Sequence, residues 1–227
     1  MPATDLDAPF HSALRTLHRN IALESGTVLR YPAEFAPFLG VADAGADVGD
    51  ALGELVAPGE SVYLLGVVPE PPPGWKLDAF RPLAQMVRDA PIDVADGPEI
   101  VELTTQAQRD DALELTALVY PHYFRRRTME MGRYFGIYVD GRLAAMIGER
   151  LGTHEFREMS AICTHPDFTG RGYAQRLTAW LGNDTLARGS VPFLHVSHDN
   201  PRAKALYEFM GYRLRRDIGF WSLSRPG

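Results

Sequence analysis

Across residues 158–212 the chain alternates an apolar run with an amphipathic helical run, twice in succession, and no other stretch constrains the architecture as tightly. The first apolar run ends at Thr164, just before His165-Pro166, and is followed by Asp167-Phe168-Thr169-Gly170-Arg171-Gly172. A helix is then predicted over about residues 172–188. Tyr173, Leu177, Trp180 and Leu181 give it one apolar face, and Arg188 with Gly189 ends it as a cationic last turn and a glycine stop. Val-Pro-Phe-Leu-His-Val-Ser at 191–197 reads as the next strand. Asn200 is a good N-cap for the helix after it, Pro201 suits a first helical turn, and Gly211 supplies the stop. This βαβα order commits the segment to an α/β fold.

A strand, a glycine loop and a helix start together make an anion site. Glycines let phosphate oxygens approach the backbone, and the helix's free N–H groups and dipole favour negative charge. The loop lacks G-x-x-x-x-G-K-[ST], so it is not a P-loop, and Gly170-Arg171-Gly172-Tyr173-Ala174 lacks the third glycine of the dinucleotide fingerprint. Composition narrows the ligand class from the other side. The 227 residues carry 23 Lys+Arg against 29 Asp+Glu, a net charge of −6, so the chain has no global attraction for nucleic acid. The single cysteine, Cys163, rules out an internal disulfide framework and a Cys-based zinc site, and no metal is expected. A strand cysteine without a placed histidine is inert packing. No run approaches the roughly 18 apolar residues of a membrane span, and the N-terminus shows no signal-peptide pattern. A cytoplasmic protein is expected.

Upstream of the βαβα segment, residues 100–103 read as a short strand. Thr105 with Gln108 forms a capping box, and the helix it opens ends at Tyr120 before Pro121. Residues 135–139 and 142–150 flank Asp140-Gly141, a pair suited to a type I′ hairpin turn. Three strands in series, the third at 158–164, suggest an antiparallel meander feeding a crossover. The first half gives a helix over 11–23 from Leu14, Leu17 and Ile21, a second helix around Leu52, Leu55 and Val56, a strand over 61–68 and a short strand at 85–87. Punctuation at Val94-Ala95-Asp96-Gly97-Pro98 marks the best boundary, dividing residues 1–98 from 99–227.

The two motifs together resemble the GNAT superfamily of acyl-CoA-dependent N-acyltransferases. That family's phosphate loop, Q/R-x-x-G-x-G/A, is met by Thr169-Gly170-Arg171-Gly172-Tyr173-Ala174, with Thr169 departing at the first position. Its later signature, Asn-x-x-Ala-x-x-Leu-Tyr-x-x-x-Gly-Phe, is met by Asn200, Ala203, Leu206, Tyr207 and Gly211, with Tyr212 in the Phe place. The resemblance covers about residues 99–223. It implies a mixed, mostly antiparallel sheet flanked by helices, with the first 98 residues extending that sheet or forming a degenerate second lobe. It implies transfer of an acetyl group from acetyl-CoA to a primary amine, small-molecule or peptide, by direct attack in a ternary complex. A non-catalytic acyl-CoA sensor and a transferase of longer acyl groups are the competing readings.

The resemblance also assigns roles. The backbone of Ile162, Cys163 and Thr164 would meet the thioester and pantetheine where family strands splay. Residues 169–174 would hold the pyrophosphate, with Asn200 and Ala203 at the second helix start. Tyr207 would protonate the departing thiolate, and Glu158, placed by period two on the face of Ser160, Ile162 and Thr164, would be the base, acting through water. His195 and His198, three apart, fall on opposite faces of a strand and make no metal pair. Arg125-Arg126-Arg127 reads as a solvated face, and Tyr120, His122, Tyr123 and Phe124 fall where the family builds its acceptor side.

Overall fold

The computed structural model describes residues 5–119 and 122–227, so Tyr120 and Pro121 lie outside the described residues. In chain order the helices are α1 (Pro9–Arg15), α2 (Gly49–Leu55), α3 (Gln106–Val119), α4 (Tyr173–Ala187) and α5 (Pro201–Phe209). The strands are β1 (Leu23–Ser25), β2 (Val28–Arg30), β3 (Leu39–Val41), β4 (Ser61–Leu65), β5 (Lys76–Ala79), β6 (Leu83–Val87), β7 (Val101–Glu102), β8 (Tyr134–Val139), β9 (Arg142–Gly152), β10 (Phe156–Thr164), β11 (Val191–Ser197), β12 (Arg213–Ile218) and β13 (Phe220–Ser224).

Local chemistry sets the elements that the motifs announced. Asp140 and Gly141 both take positive φ, 50° and 76°, as a type I′ turn requires, and they join β8 to β9. The capping box is formed: Gln108 Oε1 accepts from the Thr105 N–H at 2.9 Å, and the Gln108 N–H reaches Thr105 Oγ1 at 3.3 Å. The resulting seven-stranded sheet runs β12-β6-β11-β10-β9-β8-β7, with β10–β11 its one parallel pair among the described strands. A second sheet, β4-β13-β5, and a third, β1-β2-β3, complete the mixed, mostly antiparallel α/β fold.

The division expected at residue 98 is crossed by four strand pairings among the described residues. β6, from the first half, lies between β11 and β12, and β13, from the C-terminal end, pairs with β4 and β5. The 94–98 punctuation is a connection between β6 and β7, two strands of one sheet.

The sheet buries both faces. On one face Met86, Ile147 and Leu194 of the sheet pack with Leu177 and Leu181 of α4 and Met210 at the end of α5. Against α1 and the first-half strands lies a core rich in rings, with Phe10, Tyr31, Phe38, Phe193 and Phe220 buried together. The helix expected over 11–23 is shorter than its periodicity suggests. Thr16 Oγ1 bonds back to the Ser12 carbonyl at 2.6 Å, and the chain leaves the helix there. Two residues on, the His18 ring is drawn into the core, 2.7 Å from the Tyr31 hydroxyl and 2.8 Å from the Met131 carbonyl. The run expected over 61–68 ends as a strand at Leu65, because Gly66 turns to φ 86°.

Candidate active site

β10 and β11 part company after three pairs. Phe156, Arg157 and Glu158 pair with Val191, Pro192 and Phe193, after which β10 follows β9 and β11 follows β6. The cause is a bulge in β10. Its register against β9 shifts between Ser160 and Cys163, and Ala161 sits at φ 50°. A bulge strengthens local twist and bends its strand, so the parallel neighbours diverge into a cleft with unpaired backbone along each wall. The His165 N–H bonds the Ala144 carbonyl at 2.8 Å. Alternation from that bond turns the Cys163 N–H toward β9 and the N–H groups of Ile162 and Thr164 toward the cleft.

The same bulge corrects the expected face. Period two would put Glu158, Ser160, Ile162 and Thr164 on one side. Instead Ile162 packs with the α4/α5 core, while Ala161 and Cys163 pack on the opposite side with Leu115, Met129 and Met146. Burial pushes the Cys163 thiol up to about 12, which leaves it a packing group at neutral pH.

The glycine loop stands at the end of this cleft. After Thr164 the chain makes a short 3-10 turn, Pro166–Phe168, and reaches α4 through Gly170 and Gly172 at φ 78° and 77°. A Cβ at either glycine would meet open space, so positive φ is what calls for glycine here. Gly172 is the N-cap of α4 and offers no side chain. The first N–H groups of the helix therefore have no partner within it. The Thr169 hydroxyl donates to the Pro166 carbonyl at 3.0 Å, closing its own turn. Arg171 lies over the Phe168 ring, 5.1 Å from its centroid. The second helix start is capped: Asn200 Oδ1 accepts from the Ala203 N–H at 3.0 Å. Seven residues further, Tyr207 is buried against the α4 core, 6.0 Å from the Tyr212 ring, and desolvation pushes its phenol up to about 12.

Glu158 lies at the point of divergence and is only 1% exposed. Arg150 clamps it with two bonds, Nε to Oε2 and Nη2 to Oε1, each 2.8 Å. His195 Nδ1 lies 2.8 Å from Oε1. Burial alone would raise the carboxyl, but Arg150 and His195 outweigh it and hold the group down at about 2. A carboxylate so held is a weak proton acceptor, which counts against the expected base. The sequence weighs His195 only against a metal pair with His198, since nothing in a strand pattern reveals a carboxylate partner 37 positions away.

Other expected residues separate from this centre. His198 pairs with Asp217 at 2.7 Å. Arg127 is tied to Glu130 and Glu34. Tyr123 packs edge-on to Tyr63, 5.0 Å between centroids, and near Phe220 at 6.0 Å, in an aromatic group on the Glu158 side of the sheet. Among the described residues no cluster of three or more His, Cys, Asp or Glu could hold a metal ion, and no helix is long and apolar enough to cross a membrane.

A parallel pair opened by a bulge beside an uncapped helix start defines a class, and the comparisons agree on which. The FR47-like protein family model matches residues 134–221. A GNAT-family protein of Novosphingobium aromaticivorans is 33% identical, with 99% of this chain and 100% of that chain covered and a TM-score of 0.87. Two more distant folds agree. A GCN5-related N-acetyltransferase from Kribbella flavida has a TM-score of 0.65 at 17% identity over 96% of this chain and 94% of that one. A GCN5-related N-acetyltransferase-like protein from Streptococcus suis has a TM-score of 0.58 at 16% identity over 97% and 96%. No curated protein matches the sequence. The chain belongs to the GNAT family, and its fold is that of an acyltransferase.

Proposed function

We propose that the protein moves an acetyl group from acetyl-CoA to a primary amine by direct attack in a ternary complex. The observation that carries this is the divergence of β10 from β11 at Glu158 and Phe193, opening directly toward the uncapped start of α4. Acetyl-CoA supplies an acyl group already activated as a thioester. The chain's own residues do the rest. N–H groups at Gly172, Tyr173 and Ala174 and the helix dipole hold the pyrophosphate, with Thr169, Gly170 and Arg171 shaping the loop. Along β10 the N–H groups of Ile162 and Thr164 hold the pantetheine arm like an added strand, and donate to the carbonyl oxygen as it gathers charge. Cys163 contributes backbone spacing alone. Asn200 and Ala203 border the arm from the head of α5. Tyr207 keeps its proton and gives it to the thiolate that leaves.

Glu158 stays ionised and accepts a hydrogen bond from the water that carries the amine proton away. Residues 1–98 supply β6 and cover the Glu158 side, so we assign them the acceptor wall. The one cysteine and its burial suit a reducing cytoplasm.

CoA release from acetyl-CoA against an amine panel tests this reading. Turnover with acetyl-CoA and not with longer acyl-CoAs supports it. Preference for a longer acyl group overturns the acetyl assignment, and tight acetyl-CoA binding with no turnover on any amine favours a sensor. Gly172→Ala tests the loop. Positive φ costs an alanine about 1–2 kcal/mol, and the distorted cradle should weaken acetyl-CoA binding about tenfold by calorimetry. Unchanged affinity would move the pyrophosphate elsewhere.

A further inference from the structure

Polar side chains on the Glu158 side of the sheet form one hydrogen-bonded file across five adjacent strands. Arg150 of β9 holds Glu158 of β10, and Glu158 Oε1 lies 2.8 Å from His195 Nδ1 of β11. His195 Nε2 lies 3.0 Å from Gln85 Nε2 of β6. Arg215 Nη1 of β12 donates to Gln85 Oε1 at 2.8 Å, and its Nη2 reaches Asp7 at 2.8 Å. Gln85 is fully buried and also donates to the Leu6 carbonyl at 2.8 Å. The His195 side chain is 3% exposed.

The ends of the file dictate every direction within it. A guanidinium has only donors, so the amide oxygen of Gln85 must face Arg215. A carbonyl only accepts, so the amide nitrogen must face Leu6, and that same nitrogen faces His195. An amide nitrogen only donates, so Nε2 of His195 presents its lone pair. A neutral imidazole with a lone pair on Nε2 carries its proton on Nδ1, where the carboxylate clamped by Arg150 needs a donor. Arguments from the Arg215 end and from the Arg150 end meet at one tautomer. Among the described residues, Arg216 lies 2.9 Å from Asp7, the Tyr31 hydroxyl is engaged by His18 at 2.7 Å, and the buried Tyr134 also feels the Arg150 and Glu158 charges.

We propose that Gln85 is a positioning residue of the acyl-transfer site: it fixes His195 as the Nδ1–H tautomer, and His195 thereby holds the Glu158 carboxylate as a fixed acceptor at the head of the cleft. The kinetic consequence rests on the acyl-transfer reading, whereas the tautomer stands without it. The proposal also gives the first half of the chain a task in the site, because Leu6, Asp7 and Gln85 together aim the imidazole from behind.

The test is a two-bond nitrogen–proton correlation spectrum of the full chain labelled with ¹⁵N-histidine, at neutral pH. In the wild type His195 should show a protonated Nδ1 and an unprotonated Nε2. An Nε2–H tautomer or an imidazolium there overturns the proposal, whatever any variant does. In Gln85→Glu the facing group can only accept, so His195 should gain a proton on Nε2 and read as an imidazolium. A folded Gln85→Glu protein with the wild-type signature overturns it. In CoA release the same variant should lose at least about tenfold in kcat with its acetyl-CoA KM held within about twofold; an unchanged kcat overturns the positioning role. A wild type that turns over no amine, while His195 shows the expected signature, sinks the acyl-transfer reading and leaves the tautomer assignment in place.

Discussion

Tyr207→Phe should lower kcat on the order of 100-fold while acetyl-CoA binds as before. The ring is what packs: Tyr207 belongs to the core with Leu177, Leu181 and Met210, and phenylalanine keeps that volume. Only the hydroxyl is lost, and with it the proton proposed for the leaving thiolate. Desolvation holds the phenol at about 12, so the acid is fully protonated throughout the working range. The wild-type rate should therefore show no alkaline decline from this group until pH nears about 12. Pre-steady-state CoA release, with coenzyme affinity measured separately, distinguishes chemistry from binding. Wild-type turnover in Tyr207→Phe would remove Tyr207 from the mechanism.

Glu158→Gln should unfold more easily than any conservative change elsewhere in the sheet. The half-buried Arg150 would lose the carboxylate of the buried Glu158, and breaking such a pair from one side costs about 3–5 kcal/mol. In a chain of this size that lowers Tm by roughly 10 °C. The double variant Glu158→Leu with Arg150→Met should recover much of the loss, since neither charge is then left unpaired. Acid should act in the same direction. The folded carboxyl is depressed from its ordinary 4.5 to about 2. Its contribution is complete above about pH 4.5 and disappears as pH falls toward 2, amounting to about 3 kcal/mol at 1.36 kcal/mol per pKa unit. Thermal melts from pH 7 to pH 2 check it. A Glu158→Gln protein with the same acid profile as wild type would assign the loss to other carboxylates.

What could be read from the chain beforehand was whatever is written locally. A positive-φ turn, a capping box, an Asn-Pro helix start and two loop glycines each act within a few residues, and each stands where it was expected. Resemblance supplied the roles proposed for Ile162, Thr164 and Tyr207, which no local rule states. The misses are non-local. β12 reads Arg-Leu-Arg-Arg-Asp-Ile, a charged run by any periodicity; it is a strand because it forms the sheet's edge, with only Ile218 fully buried. A register shift between Leu214 and Arg216 lies where Arg215 reaches inward to Gln85. Ile162 does not share the face of Glu158, because one residue, Ala161, breaks the alternation. Gln85 reads from the sequence only as the start of a short strand, and its meaning depends on neighbours 110 and 130 positions away.

The place of β6 also bears on the order in which the chain becomes a protein. β6 is synthesised more than a hundred residues before either strand that flanks it, and β4 and β5 wait longer still for β13. Closing such distant pairs must be paid for in loop entropy before contacts repay it, which makes folding slow. During synthesis the hairpin of β8 and β9 can form from neighbouring sequence, while the backbone edges of β6 stay unpaired until β11 and β12 emerge. That interval is when an unpaired strand is most open to the wrong partner. A chain cut short of residue 213 would keep its glycine loop and still leave β6 bare on one side.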